Sequence, residues 1–295
     1  MIEVKGLTLK YPSGKGIFNL NFKVNSGEVM GYLGPNGAGK TTTIRALLGF
    51  MQPNIGTCSI GGLDCTKDAA KIQKTLGYIP GEIAFLDGMN GDEFLKFIGN
   101  MRGTRDLTRQ KQLIEMFELD TKGTIKKFSK GMKQKVGIVT AFMHNPEVLI
   151  LDEPTSGLDP LMQNRFIELI LEEKKQGKTI LMSSHMFEEV ERAGDNVLII
   201  KDGKIVVQSD VTKLKDSQRK GFIIKPADVT SAADILKNAG FEVGSVTNET
   251  VEVFVTGEKV DQFIKTAAQF KVLNLEVKVQ TLEDIFIHFY SKVGK

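Results

Sequence analysis

Eight consecutive residues, Gly34-Pro35-Asn36-Gly37-Ala38-Gly39-Lys40-Thr41, constrain this chain more than any other feature. They follow the apolar segment 28–33 and precede Thr42-Thr43-Ile44-Arg45-Ala46-Leu47-Leu48-Gly49, which predicts a buried strand, a glycine loop and a helix in succession. Gly34 and Gly39 let the backbone wrap with successive N–H groups pointing inward. The helix N-terminus adds its dipole, so loop and helix together form a nest for phosphate groups. Lys40 is suited to bridge terminal phosphates, and Thr41 to offer a hydroxyl to Mg²⁺. The four constrained positions recur by chance in about one chain per hundred of this length, and their placement between a strand and a helix makes an ordinary glycine turn rarer still.

A phosphate cradle is inert without a metal and a base. Val148-Leu149-Ile150-Leu151-Asp152-Glu153 supplies a buried strand with two carboxylates at its end, where parallel α/β sheets bind their ligands. Asp152 is suited to hold the metal through its water shell, and Glu153 to polarise an attacking water. On its own the pair would read as a strand end solvated by acids.

Around this centre the pattern divides the chain. Residues 2–5 and 18–24 alternate apolar and polar on either side of Pro12-Ser13-Gly14-Lys15-Gly16, which predicts antiparallel strands. From residue 90 to about 142 the period becomes helical, with Phe94, Leu95, Phe97, Ile98 and Met101 on one face and Leu113, Ile114 and Phe117 on another. This segment reads as an inserted helical subdomain. Strand patterns return at 148–151, 179–182 and 197–200, the last turning through Asp202-Gly203 into 205–207. Residues 209–220 are polar and lysine-rich and read as a linker. Beyond them, strand 221–225, helix 228–240, strands 241–246 and 250–256, helix 258–270 and strand 271–280 give β-α-β-β-α-β, the order of a ferredoxin-like unit. A last amphipathic helix is expected from Thr281, with Leu282, Ile285, Phe286 and Phe289 on one face.

Five further segments in a fixed order make the sequence resemble the ATP-binding subunits of ABC-type transporters over residues 1 to about 210. Tyr11 stands where that family has an aromatic residue stacked on adenine. Phe128-Ser129-Lys130-Gly131-Met132 resembles its signature motif, Ser156-Gly157-Leu158-Asp159 its D-loop, and His185 its switch histidine. Gly77-Tyr78-Ile79-Pro80-Gly81-Glu82 resembles the segment that carries a glutamine after the proline, but Gly81 occupies that position here. The resemblance therefore implies that Glu82 takes over the contact with metal and water. A second departure is Lys130 and Met132, where the family more often has glycine and glutamine.

The implied fold class is α/β: a P-loop NTPase core of ABC ATPase type over 1–210, with an antiparallel N-terminal β subdomain and the inserted helices, then a small α+β accessory domain over 221–295. The implied chemistry is Mg-dependent ATP hydrolysis. ATP would rest on Tyr11 and on Gly34 through Thr42, the metal on Thr41, Asp152 and Glu82, and catalysis on Glu153, His185 and Lys40. Ser129, Gly131 and Asp159 would meet ATP held by a second cassette, identical or not, closed head-to-tail on the first. The block from Thr281 to Phe286 looks like the tail of cassettes paired with exporters.

Bulk properties narrow the partners. A net charge of +3 on 295 residues gives no global reason to expect nucleic acid. Long basic tracts and a coiled-coil insertion are missing. The sequence also has no Asn/Thr-Lys-x-Asp segment for guanine, which argues against a GTPase. No run approaches the roughly 18 apolar residues of a membrane span, and Met1-Ile2-Glu3-Val4-Lys5-Gly6 is patterned as a strand rather than an export signal. A cytoplasmic protein, peripheral on the membrane through a separate transmembrane permease, is the expectation; a soluble switch on a non-membrane partner is the alternative. Cys58 and Cys65 lack companions for a zinc set and read as inert thiols of a reducing compartment. His144 and His288 read as structural.

Overall fold

Alternation at the N-terminus produces β1 (Ile2–Lys10) and β2 (Gly16–Val24), antiparallel, with Ile2 opposite Val24 and Lys10 opposite Gly16. The computed structural model describes residues 1–86, 88–216, 220–255 and 259–278, in two units, Met1–Asp210 and Val211–Lys295. In the first unit β3 (Val29–Leu33) is buried at every position and leads through the glycine loop into α1 (Lys40–Leu47). β4 (Ile55–Ile60) and β5 (Leu63–Asp64) return to β1, giving a first sheet in the order β2-β1-β4-β5. Cys58 and Cys65 sit in this hairpin as buried free thiols, and no group of His, Cys, Asp or Glu among the described residues is arranged to hold a metal by itself.

After α2 (Ala69–Thr75) and β6 (Leu76–Ile79) the chain enters its helical insertion, made of α3 (Gly91–Arg102), α4 (Thr108–Met116) and α5 (Lys130–Phe142). α3 begins with a capping box, in which Asn90 and Glu93 exchange side-chain to backbone hydrogen bonds of 2.9 Å each. The face expected on α3 is divided by packing. Phe94 and Leu95 are buried, whereas Phe97 is exposed and Met101 is 71% exposed. The reason is that α3 is covered on one side, where it meets α5 and where Phe94 packs against Phe85 with ring centroids 5.0 Å apart, and the rest of the face is left to solvent.

The chain then completes a second sheet with β7 (Val148–Asp152), α6 (Pro160–Lys175), β8 (Thr179–Ser184), α7 (Phe187–Ala193), β9 (Asn196–Lys201) and β10 (Lys204–Asp210). Strand order is β10-β9-β3-β8-β7-β6, parallel except for β10. Register puts Leu33 of β3 beside Ser184 of β8, and Ser183 beside Asp152 of β7. Three central strands thus end side by side, and everything that follows them is delivered to one edge of the sheet.

The segment expected as a linker is ordered structure at its start. Ser209 and Asp210 still pair with Val197 and Asn196 as the end of β10, and α8 (Val211–Asp216) follows with Val211 buried. The second unit continues with β11 (Lys220–Pro226), α9 (Val229–Asn238), β12 (Glu242–Val246), β13 (Val251–Val255), α10 (Val260–Ala267) and β14 (Val272–Lys278). Its antiparallel sheet has the order β12-β13-β11-β14. Phe222, Ile224, Leu236, Val253 and Phe263 form its core, with the Phe222 and Phe263 rings 4.4 Å apart. The block from Thr281 to Phe289, with His288, lies outside the described residues.

Candidate functional site

The glycine loop is held by contacts that exclude any side chain. A Cβ on Gly39, whose φ is 116°, would lie 2.7 Å from Ile17 Cγ2, and one on Gly34 would lie 2.5 Å from the Ile200 carbonyl oxygen. The loop is therefore clamped between β2 and β9 while its other side stays open, with nothing within 4 Å of where a Cβ on Gly37 would stand. Pro35, Asn36, Gly37, Gly39, Lys40, Thr41, Thr42 and Glu153 line a cavity of about 240 Å³. That is less than the roughly 300–1,000 Å³ enclosing whole small ligands, so the cradle suits the phosphate end of a nucleotide and leaves the base on the surface. Lys40 is buried and folds back over the loop. Its ammonium donates to the Gly34 carbonyl at 2.5 Å and the Pro35 carbonyl at 3.4 Å, and lies 3.4 Å from Glu153 Oε1.

Opposite the loop, the Asp152 carboxylate is 1% exposed. Thr41 Oγ1 donates to its Oδ2 at 2.8 Å, and Ser183 Oγ to its Oδ1 at 2.5 Å. It forms no ion pair among the described residues. A buried carboxylate satisfied only by neutral hydroxyls lacks a counter-charge, and hard oxygens from an aspartate and a threonine match Mg²⁺ rather than a softer metal. Thr41 and Asp152 therefore fit that ion. Burial, and then the Asp152 charge, push the nearby Tyr78 hydroxyl up to about 12.

Glu153 follows the strand in a left-handed conformation, φ 48°, unusual for a residue with a side chain. Its N–H is shared between Ser183 Oγ at 3.0 Å and the Ser183 carbonyl at 3.2 Å. That anchor turns the side chain out of the strand and into the cavity. One carboxylate oxygen then faces Lys40, and the other lies 3.5 Å from His185 Nδ1. Tyr11 is half-buried, and its hydroxyl is 3.3 Å from Thr42 Oγ1 and donates to Met51 Sδ at the same distance, so its ring stands beside the first turn of α1.

The structure brings Gly81, rather than Glu82, to the metal side. A Cβ on Gly81 would lie 3.2 Å from Asp152 Oδ2. Glu82 is exposed and makes no hydrogen bond or ion pair among the described residues. Ser129, Gly131 and Asp159 do not line the cradle. Ser129 instead caps α5, accepting from Met132 N at 3.2 Å, and Asp159 caps α6, accepting from Met162 N at 3.0 Å. His144 packs elsewhere, its Nε2 2.9 Å from Arg102 Nη1.

Sequence reasoning missed the residues that hold these groups in place. Ser183 fixes both acids. Gln134, buried on α5, donates to the Pro154 carbonyl at 2.7 Å. Buried Glu189 accepts from Ser184 Oγ at 2.7 Å and is also bonded by Thr155 Oγ1. The available signal was Ser183-Ser184, two small polar residues ending an apolar strand immediately before His185.

A family model described as "ABC transporter" matches residues 17–156. The bacitracin transport ATP-binding protein BcrA of Bacillus licheniformis is 34% identical over 97% of this chain and 96% of its own length. The linearmycin resistance ATP-binding protein LnrL of Bacillus subtilis (strain 168) is 31% identical over 99% of both chains. A solved structure of an ATP-binding subunit of an ABC transporter superposes with a TM-score of 0.67 at 32% identity, covering 73% of this chain and 92% of the other. The chain belongs to the ABC transporter family. It is an ATP-binding and ATP-hydrolysing subunit that powers transport, and among its described residues no helix is long and apolar enough to cross a membrane.

Proposed function

We propose that this subunit couples Mg-dependent ATP hydrolysis to a separate membrane-spanning permease, as an exporter, by closing head-to-tail on a second cassette. The observation that carries the reading is the acid end of the cradle: a buried Asp152 with only hydroxyl partners, next to a Glu153 turned towards Lys40 and His185. Thr41 and Asp152 would hold Mg²⁺, which would offset negative charge on the terminal phosphates. The loop from Gly34 to Thr42 binds the phosphates through its backbone N–H groups, which Pro35 lacks, and Tyr11 carries the adenine.

Lys40 offsets charge that develops on the transferred phosphate. Glu153 accepts the proton of the attacking water, and His185 orients that water. Ser129, Gly131 and Asp159 serve the nucleotide of the opposing subunit, since the free N–H groups at the start of α5 suit a phosphate but lie outside this chain's own cradle. Export is supported by the resistance named for LnrL and by the C-terminal block of the sequence. The cytoplasmic membrane face is the expected location.

The test is co-expression with a candidate membrane-spanning permease, taken from the neighbouring genes where one is present. The two should copurify, and the partner should change the ATPase rate. If they never associate and the rate is indifferent to the partner, the transporter role falls and a soluble switch takes its place.

A further inference from the structure

Lys130 is the residue that the family resemblance would replace with glycine, and its side chain has a definite place. Its ammonium donates to Ser156 Oγ at 2.8 Å. The aliphatic stem lies across Gly157, where a Cβ would meet Lys130 Cγ and Cδ at 2.9 Å, and Gly157 has a φ of 83° that already favours glycine. In return, a Cβ on Gly131 would meet the Gly157 carbonyl oxygen at 2.7 Å. The start of α5 and the loop after Glu153 therefore interlock, with a bare backbone on each side.

One helical turn on, Gln134 donates to the Pro154 carbonyl at 2.7 Å. Residues four apart share a helix face, so α5 grips the segment 154–157 at two points, one exposed and one buried. The segment is held from its other flank by Thr155 on Glu189, which in turn binds Ser184, the neighbour of His185. A glycine at position 130 would leave only the buried grip.

We propose that Lys130 is a positioning residue that straps the loop carrying Ser156 and Asp159 to the start of α5, so that the surface offered to a second subunit's nucleotide moves together with this subunit's own Glu153. The consequence for a pair of cassettes rests on the function proposed above; the strap itself does not. Lys130 touches no reacting atom in this scheme. It makes the two ATP sites of a dimer sense one another, because a shift at Ser129 is passed through Ser156 and Pro154 to Glu153.

Two measurements test this, using Lys130→Met, which keeps the stem, Lys130→Arg, which keeps the charge, and Ser156→Ala. The first is amide exchange of Ser156 and Leu158 in the full nucleotide-free chain, since these N–H groups donate to the Glu153 and Thr155 carbonyls within the loop. Exchange is expected to rise about three- to tenfold in Lys130→Met and in Ser156→Ala, and no further in the double variant, as for two halves of one contact. Lys130→Arg should restore it. Unchanged exchange, or effects that add, would overturn the strap whatever the chain does with ATP.

The second is the cooperativity of hydrolysis. The Hill coefficient for ATP should fall towards one in Lys130→Met and recover in Lys130→Arg, with melting temperature held within about 2 °C, the range expected for an exposed contact. Loosened exchange with undiminished cooperativity would overturn the coupling. In a Glu153→Gln background, ATP should still drive dimerisation when Lys130 is present; failure there would count against the head-to-tail reading and leave the exchange result to decide the strap.

Discussion

Asp152 and Glu173 are both buried carboxylates tied to β8, at its opposite ends, and they differ in what balances their charge. Glu173 is ion-paired with Arg109 and with Lys178, the residue preceding β8. Asp152, at the other end, has Thr41 and Ser183 and, among the described residues, no cation. The first charge is complete within the chain, and its bonds join α4, α6 and the start of β8. The second is incomplete, and only something brought from outside can balance it. Burial of an acid therefore does not mark a site; the missing counter-charge does.

That contrast breaks if the two acids respond alike to neutralisation. Asp152→Asn is expected to cut ATP hydrolysis by about 10³-fold, because it removes the charge proposed to hold the metal, while the melting temperature of the nucleotide-free protein stays level or rises. Steady-state hydrolysis and thermal unfolding on the same preparation check both halves. A collapse in stability would place Asp152 with Glu173 as a structural acid.

Glu173→Gln is expected to do the reverse. Removing the carboxylate leaves the buried Lys178 and the partly exposed Arg109 without their partner, at a cost of about 3 kcal/mol, while hydrolysis per folded molecule stays within about twofold. Urea unfolding against activity is the measurement. Lys40→Ala sharpens the comparison from the side of the ligand. Losing a charged donor should weaken ATP binding by roughly 10- to 100-fold, read by nucleotide titration, with Glu173-dependent stability untouched.

The smallest effect concerns His144, pushed down to about 4 by burial and then by the Arg102 guanidinium beside it. Its folded-state value lies below the ordinary 6.5 or so, so the unfolded chain takes up the proton first. Stability is then fully present above about pH 6.5 and declines as the pH falls towards 4. His144→Gln should flatten that part of the curve in unfolding measured across pH. A mutant curve parallel to the wild type would assign the slope to other groups.

Much of the site could be read from the sequence because its chemistry is local. Gly34 to Thr41 needs particular residue types at fixed spacing for the loop to close on a phosphate. Asp152-Glu153 at the end of an apolar strand, and His185 after another, are legible because parallel strands deliver their carboxyl ends to one edge. The supports were not legible. Ser183, Gln134 and Glu189 are ordinary polar residues whose partners lie 20 to 34 positions away or across a strand pairing, apart from the short link from Ser184 to Glu189. The face expected on α3 failed at Phe97 and Met101 for a related reason: period predicts which residues share a side, and packing decides how much of that side is covered.

By itself the sequence determined that a strand, a glycine loop and a helix would cradle phosphate, and that two acids and a histidine would stand at neighbouring strand ends. Those outcomes follow from backbone geometry and from the period of strands and helices. Only the tertiary structure decided that Gly81 rather than Glu82 lies against Asp152, that among the described residues Asp152 has no cation while Glu173 has two, and that Lys130 reaches Ser156. Each of these depends on which side chains long-range strand pairing and helix packing bring within a few ångströms, and nothing in the local pattern fixes that.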